Sequence, residues 1–346
     1  MKPKICLVCD VPNWAFDIIA KRVRSELSDS FDFDITYFDM REKPEEFFEF
    51  LEGLKDYDLI HFFWRKTLLL MEDETFISKV NSKYGDVEEY IKSISSKIST
   101  SVNDFMFLSP DEINMCKNIF NKYSKSYYVI CKPLLEKYSN ISEYKAPWGV
   151  VHDMFDSKIM KPSNLERFEN FDRPLVIGWV GNSKFSYGTD LKGFHTIIKP
   201  VIQELTEQGL KIEEFYADRN VTWRSHEDMP EYYSHVDVCL STSITEGTPL
   251  PLLEAMSCGV PVITTDVGVA REALGTKEQE FILGKRSDEE QDKIIRDLLK
   301  EKITLLYQNR SLLKELSDEN IESINKYDSG RIAKEFRTYF ENCLKK

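Results

Sequence analysis

The stretch SITEGTPLPLLEAM, residues 243–256, constrains the fold more than any other part of this sequence. An apolar run at 236–240 precedes it and predicts a strand that is buried on both faces. The apolar residues in the second half of the stretch predict a helix that stops at Gly259, a residue type common just after helix ends. Glu246 therefore lies in a loop that leads from a strand into a helix.

The start of this helix has the features of an anion-binding site. Gly247 lets the backbone approach a ligand closely. Thr248 is expected to cap the helix, and Pro249 and Pro251 fit its first turn, where no amide donor is required. Free amides at a helix start attract phosphate, but the helix dipole contributes only about 0.3–2 kcal/mol, so a diphosphate also needs cations. Glu254 lies one turn further along, where its carboxylate can accept hydrogen bonds from two hydroxyls, such as those of a ribose.

Strands and helices alternate along the rest of the chain, which is typical of a doubly wound α/β architecture. The strands predicted in the first half are Ile5–Cys9, Phe33–Phe38, Asp58–Phe63, Ile98–Val102, Phe105–Phe107 and Tyr127–Ile130. Those predicted in the second half are Leu175–Val180, Ile212–Tyr216, Val236–Leu240 and Pro261–Thr264. A long helix is expected from Gly193 to Gln208.

The chain is predicted to form two domains, because 346 residues exceed what one hydrophobic core usually serves. Residues 156–173 are polar and broken, which puts the boundary near residue 165 and the domains at 1–165 and 166–329. A last helix, at 330–346, carries an apolar stripe that needs a partner surface. Either domain could supply that surface.

Composition excludes several classes of function. With 46 basic and 59 acidic residues the net charge is -13, which argues against a nucleic-acid partner. The chain has no apolar run long enough for a signal peptide or a membrane span, so a cytoplasmic location is expected. Seven cysteines without paired spacing indicate reduced, buried thiols. Cys6 and Cys9 form a C-x-x-C, but within a strand their side chains should point to opposite faces.

Glu246 and Glu254 reproduce the E-x7-E motif of the retaining GT-B glycosyltransferases, and the sequence resembles glycosyltransferase family 4. Three further stretches agree with that family in order and spacing. They are 148–155, which begins WGV; 178–181, GWVG, with 190–193, DLKG; and 229–233, MPEYY, with Asp237. The resemblance covers residues 145–275, and the first 140 residues only by architecture. It implies the GT-B fold, in which two Rossmann-like domains face each other across a cleft.

The resemblance also implies roles for individual residues. Glu246 would bind hydroxyls of the donor sugar and Lys192 would neutralise the departing diphosphate, with Asp104 as a third catalytic candidate. The donor-binding residues that it implies are Gly181, Asn182, Lys184, Ser243, Gly247, Thr248, Pro249, Leu250 and Glu254. The family usually has an arginine where Asn182 stands, and Lys184 is the candidate replacement for that charge. No metal or cofactor is implied, and a UDP-sugar is the expected substrate.

The first domain departs more from the family. A histidine–aspartate pair is common there after a central strand, whereas this chain has Asn103 and Asp104. Aromatic and basic residues lie where first-domain strands end, the edge at which open α/β sheets bind ligands. The acceptor-binding candidates at this edge are Trp14, Trp64 and Arg65, with core packing as the alternative. In the second domain, Trp223 and His226 are candidates to flank the nucleotide base.

These observations predict a retaining, metal-independent hexosyltransferase that acts on a glycan or lipid-linked acceptor in cell-envelope or surface polysaccharide synthesis. Peripheral contact with the inner face of the cytoplasmic membrane stays open, as do the donor sugar, the linkage and the oligomeric state. Two alternatives also stay open. One is a non-catalytic GT-B protein that binds a glycan or supports a partner, and the other is a sugar-nucleotide epimerase.

Overall fold

The computed structural model describes residues 2–155, 157–184, 189–222 and 224–345. The chain divides into two compact units. The first unit comprises Met1–Met154 and Ser329–Lys346, and the second comprises Phe155–Asp328. The division after residue 154 precedes the expected boundary near residue 165, because the irregular segment before the second sheet packs with the second unit.

The first unit is built on five parallel strands in the order β2-β1-β3-β4-β5. The strands are β1 (Lys4–Cys9), β2 (Asp32–Tyr37), β3 (Leu59–Phe62), β4 (Ile98–Val102) and β5 (Ser126–Val129). The helices that connect and follow them are α1 (Ala15–Leu27), α2 (Phe47–Gly53), α3 (Glu74–Tyr84), α4 (Val87–Ser95), α5 (Pro110–Asn121) and α6 (Lys132–Ser139). The central strands are buried on both faces, as their continuous apolar runs predicted.

The strand predicted at Phe105–Phe107 is wrong. This segment is an irregular loop after β4, and Phe107 has a left-handed backbone with φ of 63°. Its ring lies 4.7 Å below the guanidinium carbon of Arg65, and its carbonyl accepts a hydrogen bond from Tyr144. The aromatic residues of this segment therefore serve loop packing, and the left-handed residue interrupts any extended conformation.

The second unit is built on four parallel strands in the order β7-β6-β8-β9. The strands are β6 (Leu175–Gly181), β7 (Ile212–Asp218), β8 (Val238–Ser241) and β9 (Val262–Thr264). The helices are α7 (Lys199–Glu207), α8 (Met229–Ser234), α9 (Leu250–Ser257), α10 (Ala270–Ala273), α11 (Glu289–Gln308) and α12 (Ser311–Ser323). The single long helix expected from Gly193 begins instead with a π-helical turn, Phe194–Ile198, and continues as α7.

The last helix, α13 (Ser329–Leu344), packs on the first unit. The ring of Phe340 lies about 6 Å from those of Phe31 and Phe33, and Tyr339 meets Tyr128 edge to face at 4.9 Å. The apolar stripe seen in the sequence thus covers one face of the five-stranded sheet.

The cysteines and the helices bear on two expectations from the sequence, reduced thiols and the absence of a membrane span. All seven cysteines are buried and free, and burial raises the pKa of Cys6 to about 12. Within the described ranges, no helix has both the length and the apolar composition needed to cross a membrane.

Candidate functional site

A pocket of about 220 Å³ opens in the second unit at the carboxyl ends of β6 and β8. This is the edge at which open α/β sheets bind ligands. The lining includes six residues predicted to act on the donor: Lys192, Ser243, Glu246, Thr248, Pro249 and Leu250. The strand–loop–helix unit at 236–257 therefore brings Glu246, the first glutamate of the E-x7-E motif, together with Lys192 of the preceding loop.

Lys192 and Glu246 form an ion pair in this pocket, between Nζ and Oε1. The same carboxylate oxygen accepts a hydrogen bond of 2.8 Å from the Ser243 hydroxyl. Both charged side chains are partly exposed, at 29% for the lysine and 18% for the glutamate. A cation and an anion are therefore held together where a ligand can reach both.

Backbone contacts join the two loops that carry this pair. The Thr242 hydroxyl donates to the Lys192 carbonyl at 2.9 Å, and the Ile244 amide donates to the Leu191 carbonyl at 2.9 Å. Gly193 follows with φ of 70°, and a Cβ at that position would overlap the Thr242 hydroxyl. The glycine after the lysine is thus required by both its backbone conformation and its close approach to the second loop.

The helix start after Gly193 is occupied by the carboxylate of Asp190. Its oxygens accept hydrogen bonds from the amides of Phe194, His195 and Thr196, at 3.1, 2.7 and 2.7 Å. These amides are therefore not available to a ligand phosphate. Lys192 is the group of this loop that reaches the pocket.

The start of α9 differs from the sequence prediction. The residue at the N-cap is Pro249, with φ of -70° and ψ of 90°, and Thr248 lies one position earlier. The Thr248 hydroxyl is buried and has no hydrogen-bond partner within the described chain. The backbone amides of Gly247, Thr248 and Leu250 donate no hydrogen bond to another described residue. Three amides at a helix start thus have their donor capacity unused among the described residues, and Thr248 and Leu250 line the pocket, which suits an anion.

Gly268 supports this loop and was missed in the sequence. The Val269 amide donates to the Gly247 carbonyl at 3.1 Å. Gly268 itself has φ of 48°, and a Cβ there would overlap the Gly247 carbonyl oxygen. The Gly247 backbone can therefore lie this close to the following loop only because Gly268 has no side chain.

Glu254 lies in the second turn of α9 and is buried. Its Oε2 accepts a hydrogen bond of 3.1 Å from Tyr233, and His226 Nδ1 lies 3.7 Å from its Oε1. Burial, with the neighbouring Glu254 charge, raises the pKa of Tyr233 well above its ordinary value, so the phenol remains a donor. Trp223, the other candidate next to the nucleotide base, lies outside the described residues.

The residues after β6 shape their own loop. Asn182 Oδ1 accepts from the Asn220 side-chain amide at 2.6 Å and from the Lys184 backbone amide at 2.9 Å. Lys184 is exposed and forms no ion pair with another described residue. A Cβ at Gly181 would overlap the ring of Trp179, which lines the pocket. Asn182 therefore organises the loop by hydrogen bonds.

In the first unit, Arg65 and Asp104 form a bidentate pair at the carboxyl edge of the sheet. The two distances are 2.5 and 3.3 Å, and Arg65 also donates to the Tyr138 hydroxyl at 3.2 Å. Burial alone would raise the pKa of Asp104, but the guanidinium beside it holds that pKa below its ordinary value. Arg65 is buried at 2% exposure and Asp104 is 39% exposed. Arg65 thus orients Asp104 and does not present its own guanidinium to an acceptor.

The other first-unit candidates differ in exposure. Trp14 is 46% exposed just before α1. Trp64 is partly buried and lies 5.2 Å beneath the Arg41 guanidinium. Asn103, in the place of the family's histidine, accepts from Ser101 at 2.7 Å. Among the described residues, no cluster of three or more histidine, cysteine or acidic side chains could hold a metal ion.

Residues 215–315 match the family model described as "Glycosyl transferases group 1". The match covers less than a third of the chain, so it shows that this segment is similar to the group 1 glycosyl transferases. The matched range contains β8, the loop with Glu246, and α9 with Glu254. Lys192 precedes it. The likeness to this family therefore lies within the second unit.

Two curated relatives match within short segments. The O-antigen chain mannosyltransferase B of Escherichia coli is 33% identical over 93 residues, which are 27% of this chain and 24% of that protein. The lipopolysaccharide core biosynthesis mannosyltransferase LpsB of Rhizobium meliloti is 38% identical over 69 residues, 19% of this chain and 20% of that protein. The chain thus spans a quarter or less of the length of these relatives.

Solved structures match over nearly the whole chain. Anabaena Alr3699/HepE in complex with UDP-glucose has a TM-score of 0.66 at 14% identity, covering 98% of this chain and 99% of that one. The sucrose-phosphate synthase of Thermosynechococcus elongatus has a TM-score of 0.67 at 15% identity, covering 99% of both chains. At these identities the likeness establishes the fold, which is the GT-B fold expected from the sequence.

Proposed function

We propose that this protein is a group 1 glycosyl transferase that moves a sugar from a UDP-sugar to a hydroxyl of a glycan or lipid-linked acceptor, with retention of anomeric configuration. The observation that carries the proposal is the Lys192–Glu246 ion pair, set in one pocket with the start of α9. An ammonium and unused amides suit a diphosphate, and a carboxylate suits sugar hydroxyls. The Anabaena structure with UDP-glucose supports the choice of uridine as the nucleoside of the donor.

In the proposed complex, the diphosphate lies between Lys192 and the amides of Gly247, Thr248 and Leu250. Charge-assisted hydrogen bonds are the strong ones, and these donors are fixed before the ligand arrives. As the glycosidic bond breaks, negative charge grows on the departing phosphate oxygen. The ammonium and the amides stabilise that charge, which lowers the barrier.

Glu246 and Glu254 would hold the two ends of the donor. Glu246, already oriented by Ser243, would accept hydrogen bonds from sugar hydroxyls. Glu254 would accept from the ribose diol through Oε1, because Tyr233 already donates to its Oε2. A rigid hold at both ends aligns the anomeric carbon for attack, and such alignment is a large part of enzymatic rate enhancement.

The acceptor hydroxyl would attack from the face that the diphosphate leaves, and the donor phosphate would take its proton. Asp104, held by Arg65, and the exposed Trp14 are the first-unit residues that we propose for the acceptor. The O-antigen and lipopolysaccharide mannosyltransferases among the relatives support a role in surface polysaccharide synthesis. With a lipid-linked acceptor, the reaction would take place at the inner face of the cytoplasmic membrane.

A donor screen tests the proposal. Binding and slow hydrolysis of UDP-, GDP- and ADP-sugars are measured without added metal on the native protein, on Lys192→Ala and on Glu246→Gln. We expect one UDP-sugar to bind and turn over, and each substitution to lower kcat/KM at least about 10–100-fold, because a charge-assisted hydrogen bond contributes about 1.5–3 kcal/mol.

Lys199→Ala is the matched control. It removes a lysine from the same unit that also pairs with a glutamate, Glu214, at 2.5 Å, but lies outside the pocket. Its kinetics should equal those of the native protein. If no sugar nucleotide binds, the proposal fails and a non-catalytic role takes its place. If another base is preferred, the uridine assignment alone fails.

A further inference from the structure

Arg286 lies in the segment between α10 and α11, far in sequence from both charged residues of the pocket. Its side chain is only 2% exposed. Nη1 donates to the Thr242 carbonyl at 2.7 Å and to the Asp190 carbonyl at 3.4 Å. On its other side, Nε and Nη2 donate to the two carboxylate oxygens of Asp292 at 2.7 and 2.8 Å.

The two carbonyls that Arg286 contacts belong to the two loops of the pocket. Asp190 comes two residues before Lys192, and Thr242 comes four residues before Glu246. The guanidinium therefore ties the loop of the cation to the loop of the carboxylate. It is not among the residues that line the pocket.

We infer that Arg286 is a positioning residue for the Lys192–Glu246 pair. The kinetic part of this inference rests on the proposed function, whereas the structural part does not. The planar guanidinium donates in two directions at once, to the loops through Nη1 and to Asp292 through Nε and Nη2. A lysine ammonium is a single point donor on a flexible stem and cannot reproduce that bridge. Loss of the bridge leaves the two loops joined by fewer bonds and the pair free to separate.

Arg286→Lys tests the inference, with Arg167→Lys as the matched control. Arg167 is a buried arginine of the same unit whose guanidinium also donates to backbone carbonyls, those of Val236, Ser163 and Asn164. None of these carbonyls belongs to the two pocket loops. Both substitutions retain charge and remove buried hydrogen bonds, so both should lower the Tm.

The first readout is donor turnover at a temperature at which both variants are folded. We expect Arg286→Lys to lower kcat about 10–100-fold and to change KM for the donor less, because misplacing a catalytic group by about 1 Å reduces the rate about 100-fold. Arg167→Lys should retain native kcat per folded molecule. Equal losses in both variants would overturn the inference, since they would reflect general destabilisation.

The second readout does not require activity. The rate at which acetic anhydride acylates Lys192 is followed by peptide mass spectrometry, because an ammonium held by a carboxylate reacts slowly. We expect Arg286→Lys to speed this reaction several-fold and Arg167→Lys to leave it unchanged. An unchanged Lys192 rate in Arg286→Lys overturns the inference, even if the donor screen finds no turnover.

Asp292→Asn is a second test of the inference, for the case in which Arg286→Lys does not fold. It leaves Arg286 in place and removes only the negative charge that orients its guanidinium. Both readouts should change in the same direction as in Arg286→Lys, by a smaller factor. If Asp292→Asn folds and changes neither readout, the inference is wrong.

Discussion

Glu278 is a carboxyl group buried completely between β9 and α12, and replacing it with glutamine should stabilise the second unit at neutral pH. Its Oε1 accepts hydrogen bonds from the Val262 amide at 3.0 Å and from the Asn320 side chain at 2.9 Å. Its Oε2 has no partner within the described chain. Burial raises the pKa of Glu278 from 4.5 to about 8, although both hydrogen bonds act to lower it.

The expected effect follows from proton linkage. Below pH 4.5 the carboxyl is protonated in both the folded and the unfolded chain, and its contribution to stability is fully present. As the pH rises towards 8, the unfolded chain ionises while the folded chain keeps its proton, so the free energy of unfolding falls. The slope is about 1.4 kcal/mol per pH unit. Over the interval 8 − 4.5 = 3.5 the loss reaches about 5 kcal/mol.

Glutamine removes this dependence while keeping the shape and the acceptor oxygen. Its amide nitrogen would be left without an acceptor at the position of Oε2, which costs about 1–3 kcal/mol at every pH. Glu278→Gln should therefore be less stable than the native protein near pH 4.5 and more stable by about 1–3 kcal/mol near pH 7.5. The sign of the change thus reverses with pH.

Urea unfolding of the full chain, followed by pulsed hydrogen exchange of peptides from β9 and α12, measures this difference in the second unit alone. Glu319→Gln is the control, because Glu319 is a partly buried carboxylate that accepts from the Glu278 backbone amide. The stability difference between Glu278→Gln and the native protein should change by about 3 kcal/mol between about pH 5.5 and about pH 8. A difference that is constant over this range would refute the reasoning.

Three further substitutions test the donor pocket. Gly268→Ala should lower the free energy of unfolding by more than about 2 kcal/mol, measured by urea unfolding, because the new Cβ meets the Gly247 carbonyl from a left-handed backbone. Tyr233→Phe should weaken UDP binding about 10-fold by calorimetry, since Glu254 loses the donor that orients it; unchanged affinity would contradict that role. Asp190→Ala should lower the Tm by a few degrees through loss of about 1–2 kcal/mol of helix capping, and an equal Tm would show that solvent replaces the cap.

Much of the fold could be predicted because buried parallel strands are continuous apolar runs. The predicted strand Leu175–Val180 is β6 with one further residue, and the predicted strand Val236–Leu240 overlaps β8. The segment Phe105–Phe107 has the same apolar character, so its composition alone could not distinguish this loop from a buried strand. Its left-handed residue and its contact with Arg65 depend on a guanidinium about 40 positions away.

The candidate donor site was predictable in part because Glu246, Glu254 and the nearby glycines and prolines lie in one short segment. Its supporting residues were not, because they meet the pocket only in three dimensions. Arg286 has no local pattern that would mark it, and Gly268 is one of several glycines in the chain. The helix cap was misplaced by one residue because the rule that favours threonine does not consider that Pro249 can take the same backbone position.

The placement of α13 affects how the chain must fold during synthesis. Domains usually fold from the N-terminus onwards as they leave the ribosome. Here the first unit includes a helix that is made after the second unit, so the second unit is complete before the first can close. Until that helix emerges, the sheet face with His61 and Tyr128 is open to water and to other apolar chains. Chaperone protection of the nascent chain is therefore most important for the first unit.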